Sequence, residues 1–164
     1  MKKIGLISDT HGYWDTKYVK YFKECDEIWH AGDIGEIEIT DQLNNIAQVK
    51  GVFGNIDNST IRQEFPKEQI IQYGNQKVYM THIGGRPVKY NSFSLKKLLH
   101  LTPSVFICGH SHICMVKYDH NHQLLYINPG AAGNYGIHKI RTIIRFELHI
   151  NKIEKIEVIE LGTR

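Results

Sequence analysis

Residues 5–13 read GLISDTHGY, an apolar run that stops abruptly at Asp9, Thr10, His11 and Gly12. Lys2 to Ser8 has the length and near-continuous hydrophobicity of a strand buried on both faces, which requires a covering layer on each side. The same shape recurs twice. DEIWHAGD runs into Asp33, and QVKGVFGNID runs into Asn55. Between these strands the spacing is helical: Trp14, Tyr18, Tyr21 and Phe22 alternate with Lys17, Lys20 and Lys23, and Ile39, Leu43 and Ile46 follow later. Strand–helix–strand–helix–strand order predicts an α/β core with parallel strands. Ligands of such sheets bind beyond the carboxyl ends of the strands, which is where all three polar tips fall.

The second half predicts more strand. EQIIQYGNQKVYMTH reads as two strands around Gly74-Asn75, ending at His82. Leu95, Leu98 and Leu99 mark a helix that stops before Pro103. SVFICGHSH is a strand with a fifth tip, and ICMVKYDHNHQLLYINPG is a hairpin turning near Asp119 to His122. Polar and apolar residues alternate from Arg141 to Ile150, and a last strand covers Ile153 to Leu161. No linker or repeat divides the chain, so residues 1–164 are expected to form one domain, with two sheets face to face and helices outside.

The five tips carry, in order, D-x-H (Asp9, His11), G-D (Asp33), G-N (Asn55), T-H (His82) and G-H-x-H (His110, His112). All are oxygen or nitrogen metal ligands, and none is a thiolate. Residues two apart on an extended chain point the same way, so Asp9 and His11 can share a target. Gly12, Gly32, Gly54 and Gly109 stand where backbone must crowd close. Seven ligands are too many for one zinc-like ion and suit two. Asp33 is the candidate bridging carboxylate, with the ions ~3.5–4 Å apart.

In order and spacing, the series D-x-H, G-D, G-N-x-D, T-H, G-H-x-H from Asp9 onward resembles the calcineurin-like metallophosphoesterase superfamily. The short length and NPGAAGN, ending at Asn134, resemble its small bacterial and archaeal phosphodiesterases. The resemblance implies a four-layer α-β-β-α sandwich of two mixed sheets flanked by helices. It also implies a dinuclear centre, with Asp9, His11, Asp33 and His112 on one divalent ion and Asp33, Asn55, His82 and His110 on the other. Manganese is the first expectation, and iron, zinc or nickel occur in the family; a donor set of nitrogen and oxygen does not choose among them. The implied reaction is in-line attack on a phosphodiester by a hydroxide held between the ions.

The chain departs from the family in GNID, where many members have a histidine that helps protonate the leaving group; here the position is Ile56. Asp57 is expected to orient His11 from behind, or else to cap the segment that follows. His138 is either an acid or phosphate contact, or a surface histidine leading into the last strands. Arg86, in GGRP, could grip a phosphate with two N–H groups, or be a loop charge.

Composition narrows the alternatives. Lys plus Arg exceeds Asp plus Glu by only three, 20 against 17, so no obligatory nucleic-acid partner is expected. A nuclease of the superfamily would carry extra domains and basic tracks. No run is long and apolar enough to span a bilayer, and the chain enters a strand at once, so neither a membrane segment nor a signal peptide is expected. Cys25, Cys108 and Cys114 form no zinc or redox spacing, which fits a reducing cytoplasm. The partner expected is a small phosphoester. The loops of so small a domain leave the site open, so homo-oligomer contacts could shape substrate choice. The main rival is a protein-binding scaffold, since a retromer subunit shares the family's fold without catalytic competence; retention of every ligand position favours the enzyme.

Overall fold

In the computed structural model, which describes residues 1–164, the first apolar run is β1 (Lys2–Ile7). There follow α1 (Lys17–Phe22), β2 (Glu27–His30), α2 (Ile37–Asn44), β3 (Gln48–Gly51) and α3 (Ser59–Glu64). The second half contains β4 (Glu68–Tyr73), β5 (Gln76–Thr81), the short pair β6 (Gly85–Arg86) and β7 (Lys89–Tyr90), and α4 (Ser92–Leu101). It ends with β8 (Val105–Ile107), β9 (Cys114–Asp119), β10 (Leu124–Pro129), β11 (Ile140–Leu148) and β12 (Ile153–Thr163). The first sheet has the order β12-β11-β1-β2-β3 and the second β4-β5-β8-β10-β9. Each is mixed, with a parallel trio (β1-β2-β3 and β5-β8-β10) beside antiparallel strands.

Alternation along the strands builds the layers, because successive side chains leave opposite faces. Ile4, Leu6 and Trp29 of the first sheet meet Val78, Met80, Val105, Ile107 and Ile127 of the second in one core between the sheets. Ile7 and Ile28 point the other way, onto Tyr18, Phe22, Ile39, Leu43 and Ile61 of the first three helices. Tyr79, Phe106, Leu124 and Tyr126 pack outward under Leu98 of α4. Three cores separate four layers, the sandwich implied by the sequence. Within each parallel trio the strand ends lie abreast: Ile7 pairs with His30 and His30 with Gly51, while Met80 and Ile127 both pair with Ile107. The loops that follow therefore leave side by side.

Several local features differ from the sequence reading. Helix α1 starts at Lys17, because Asp15 accepts the Lys17 N–H (2.9 Å) and Tyr13 N–H bonds back to the Thr10 carbonyl (2.8 Å). Trp14 lies in that turn and packs edge-on against Tyr18. Helix α3 and the β6–β7 pair had no periodic signature; the Asn58 side chain caps α3 by accepting from Ile61 N–H (3.1 Å). No helix is long and apolar enough to cross a membrane.

At the start of β2, Glu27 is 3 % exposed. Lys2 and Lys50 both pair with it, and Trp29 Nε1 donates to it (2.9 Å). Burial alone would raise its pKa; the bonds from Lys2, Trp29 and Lys50 outweigh burial and hold the carboxyl below its ordinary 4.5. A depressed carboxylate contributes stability above its unfolded pKa and loses it as pH falls through the folded value. Glu27→Gln is therefore expected to lose about 1–2 kcal/mol at pH 7 in urea unfolding. That difference should shrink toward zero as the pH is lowered below 4.5. A deficit that persists unchanged in acid would contradict this.

Candidate metal centre

The sequence-predicted tips converge at one end of the facing parallel trios. Asp9 and His11 follow β1, Asp33 follows β2 and Asn55 follows β3, all from the first sheet. His82 follows β5, and His110 and His112 follow β8, from the second. Backbone bonds continue past the strand ends: Asp9 N–H to Gly32 O (2.9 Å), His11 N–H to Asp33 O (3.0 Å), and Gly109 N–H to His82 O (3.0 Å). Asp9, His11, Asp33, His110 and His112 all adopt left-handed backbone, with φ between 48° and 65°. That conformation costs a residue with a Cβ about 1–2 kcal/mol, and such strain clusters at functional sites. Gly109 and Gly54 allow the close approach: a Cβ on Gly109 would lie 2.7 Å from Asp9 Oδ2, and one on Gly54 would collide with Asp33 Oδ1.

The side chains form two groups, Asp9–His11–His112 and Asp33–His82–His110, each with its donor atoms within 4.8 Å of one another. Asp33 stands between them. Its Oδ2 is 3.7 Å from His11 Nε2, and its Oδ1 is 3.2 Å from His82 Nε2. Asn55 Oδ1 is 3.1 Å from His82 Nε2, and Asp9 Oδ1 is 3.1 Å from His112 Nε2. Asp9 Oδ1 and His11 Nε2 are buried without a hydrogen-bond partner. Leaving two such atoms orphaned is unfavourable, and a divalent cation would satisfy both. The donor set, imidazole nitrogens with carboxylate and amide oxygens, suits manganese, iron, zinc or nickel. The residues present therefore fit a metal pair.

Surrounding groups set the protonation of these ligands. Burial lowers the pKa of His11, and burial together with His82 lowers that of His110, leaving neutral imidazoles. Burial opposes charge on His82 too, but Asp33, Asp9 and the Ala31 carbonyl raise its pKa. Burial would raise the Asp33 pKa, yet His82, the Ile56 N–H (3.1 Å) and His11 hold it below the ordinary range. His82 Nδ1–H donates to Ala31 O (2.8 Å), which fixes the ring with Nε2 aimed at Asp33 Oδ1 and Asn55 Oδ1.

His138 plays a part different from either expectation. Its Nε2–H donates to the Gly133 carbonyl (3.0 Å), and its Nδ1 lies 3.3 Å from His112 Nδ1. Burial, reinforced by His112 and only partly offset by Gly133, lowers its pKa, so the ring is neutral. With Nε2 protonated, Nδ1 must accept, so His112 donates from Nδ1 and its Nε2 is the nitrogen aimed toward Asp9. Both nitrogens of His138 are thus occupied, and neither is free for substrate.

Asp57 is also corrected. It makes no hydrogen bond to His11: its carboxylate accepts Gly35 N–H (2.8 Å) and Gly54 N–H (2.7 Å), tying the loops after β2 and β3 together, while Asn58 takes the capping role. Backbone N–H donors leave no trace in a sequence, which is why this partner was missed. Arg86 lies in neither ligand group; it is exposed and lines a groove beside His110. Ile56 is 46 % exposed, and only its N–H reaches Asp33.

Three supporting residues were not anticipated in these roles. His30 is fully buried, placing Nε2 2.9 Å from Thr10 Oγ1 and accepting Gly32 N–H (3.2 Å) at Nδ1, which locks the first two loops. Asn128 Nδ2 donates to Gly109 O (2.9 Å) and Ser111 Oγ (3.1 Å), bracing the GHSH loop. Asn128 lies near the end of β10, so the strand-tip rule could have found it. The Tyr135 ring lies 4.9 Å from that of His11 and is 68 % exposed; no sequence signal pointed to it.

The model of the calcineurin-like phosphoesterase superfamily domain matches residues 1–151. A protein of Methanocaldococcus jannaschii named as a probable metallophosphoesterase is 32 % identical over 137 residues, covering 78 % of this chain and 67 % of that one. Among solved structures, an archaeal phosphodiesterase superposes with a TM-score of 0.72 at 21 % identity, covering 96 % of this chain and 99 % of that one. Entamoeba histolytica Vps29, complexed with zinc, superposes with a TM-score of 0.75 at 18 % identity, covering 96 % and 98 %.

Proposed function

Because the chain belongs to the calcineurin-like phosphoesterase superfamily, we propose that it is a phosphodiesterase with a dinuclear, manganese-loaded centre acting on small phosphoesters. The observation that carries this reading is the position of Asp33, with one carboxylate oxygen toward each of two ligand groups. Asp9, His11 and His112 would hold one ion, and Asn55, His82 and His110 the other, with Asp33 shared. When bound, such a pair supplies an activated water at neutral pH and offsets charge on the phosphoryl oxygens. The residues themselves prepare the site. Ala31 and His138 fix the tautomers of His82 and His112, and Ser8 Oγ–H and His110 N–H bind Asp9 Oδ2 (2.6 and 3.1 Å), holding Oδ1 toward the site. His30, Asp57 and Asn128 keep the loops in register. The archaeal relative and the phosphodiesterase of like fold support the reading.

Ile56 supplies no proton to a departing alkoxide, so esters with acidic leaving groups should turn over fastest. Manganese-loaded protein is expected to hydrolyse bis(p-nitrophenyl) phosphate in preference to p-nitrophenyl phosphate and to carry about two metal ions per chain by mass spectrometry. Protein with two ions but inert toward aryl diesters, monoesters and cyclic nucleotides would support the scaffold reading instead. Protein that takes up no metal would remove the proposed centre itself.

A further inference from the structure

Two grooves open beside the centre, on either side of Ile83. One, of about 400 Å³, runs from Asn55 and His82 past Phe53, Arg62, Lys67 and Phe93. The other, of about 420 Å³, runs from His110 past Arg86, Lys89 and Met115. No carboxylate lines either groove, although acids nearly balance bases in the chain, 17 against 20. A scissile phosphate at the centre would send one substituent of a diester into each.

The first groove has a distinct chemistry. Phe93, in the first turn of α4, is 43 % exposed, and Lys67 Nζ stands 5.0 Å from its ring centroid. Lys97 Nζ also lies 5.6 Å from that centroid but is paired with Glu68 (2.5 Å), which the Tyr79 hydroxyl binds too (2.9 Å), whereas Lys67 makes no ion pair, although its charge helps lower the Glu68 pKa. Deeper in, the Arg62 guanidinium lies 4.5 Å from the Phe53 ring centroid, its Nε bound to Asp57 O (2.7 Å) and one terminal nitrogen to Gly54 O and Asn55 O. Ring faces beside cations in a groove that no carboxylate lines favour a flat ring joined to a negatively charged group. The second groove offers cations but no such face, since its Tyr126 is 1 % exposed and its hydroxyl is bound to Gly85 O (2.8 Å).

Taking the phosphodiesterase reading to locate the scissile phosphate, we propose that the groove of Phe53, Lys67 and Phe93 is the subsite for one arm of the diester, and that this arm carries a flat heterocyclic ring and a second phosphate, as a nucleoside phosphate does. The ring would lie on Phe93 and the second phosphate against Lys67.

The test is calorimetric titration of manganese-loaded protein with thymidine 3′,5′-bisphosphate and, separately, with inorganic phosphate. The bisphosphate is expected to bind at least about tenfold more tightly. Lys67→Gln and Phe93→Ala, both surface changes, should each weaken the bisphosphate about five- to tenfold and leave inorganic phosphate unaffected, whereas Lys96→Gln, outside the groove, should alter neither. Equal affinity for the two probes, or wild-type bisphosphate affinity in both groove variants, would overturn the subsite. Wild-type assays keep the two readings apart. Discrimination between the probes in a protein that hydrolyses no ester would sustain the subsite and refute the catalytic reading. Hydrolysis of bis(p-nitrophenyl) phosphate without such discrimination would do the reverse.

Discussion

Asp33→Asn is expected to lower kcat/KM on an aryl phosphodiester by about 10³-fold or more. It should also reduce bound metal from about two ions per chain to one or fewer, with an unchanged far-ultraviolet circular dichroism spectrum. The substitution keeps shape and volume. An amide oxygen at the Oδ1 position still accepts the Ile56 N–H, now at 3.1 Å, so the loop after β3 stays anchored. What disappears is the negative charge between His11 and His82, at 3.7 and 3.2 Å from the two carboxylate oxygens. One oxygen also becomes an NH₂ group, which cannot ligate a cation. His82→Ala should silence turnover as well, but it removes a ring only 2 % exposed and leaves a void, so its loss would combine chemistry with packing. Activity of Asp33→Asn within about tenfold of wild type would show that Asp33 is not shared by two ions.

The second large effect concerns a residue that touches no proposed metal position. His138→Ala should weaken manganese binding by about 10–100-fold, the usual consequence of removing the partner that orients a ligating histidine. His112 would then be free to carry its proton on either nitrogen, and nothing would reserve its Nε2 as the ligating nitrogen beside Asp9. The loss should appear in the metal dissociation constant and be largely overcome at saturating manganese. His138→Gln offers a side-chain carbonyl that can accept the His112 Nδ1–H, and it should recover much of the affinity. Wild-type metal affinity in His138→Ala, or an equal defect in the glutamine variant, would contradict the tautomer argument.

How far the sequence revealed the molecule depends on where each signal resides. Leu6 and Ile7, or Tyr79 and Met80, alternate between two cores, so the layers follow from a periodicity of two that local sequence displays. The tips could be placed at one end of the sheets because an apolar parallel strand has a direction and its polar exit is visible. Partners contributed by backbone could not. Asp57 looks, by spacing alone, like a helper of the neighbouring ligands, yet it binds the N–H groups of Gly35 and Gly54, and every residue but proline has one. His138 depends on a loop folding back so that residue 138 meets residue 112, a contact with no period to announce it. Helix α3 buries a single residue, Ile61, so no repeat of apolar positions marks it in the sequence.

The left-handed backbone at positions 9, 11, 33, 110 and 112 has a consequence for how the protein tolerates change. Glycine would relieve each of these positions by roughly 1 kcal/mol relative to alanine, yet it would delete a donor every time. Selection for sturdiness alone would thus erode the very places where selection for reactivity keeps a bulky polar group. An inert descendant freed from the second pressure would be expected to drift toward glycine there, growing hardier as it lost its chemistry.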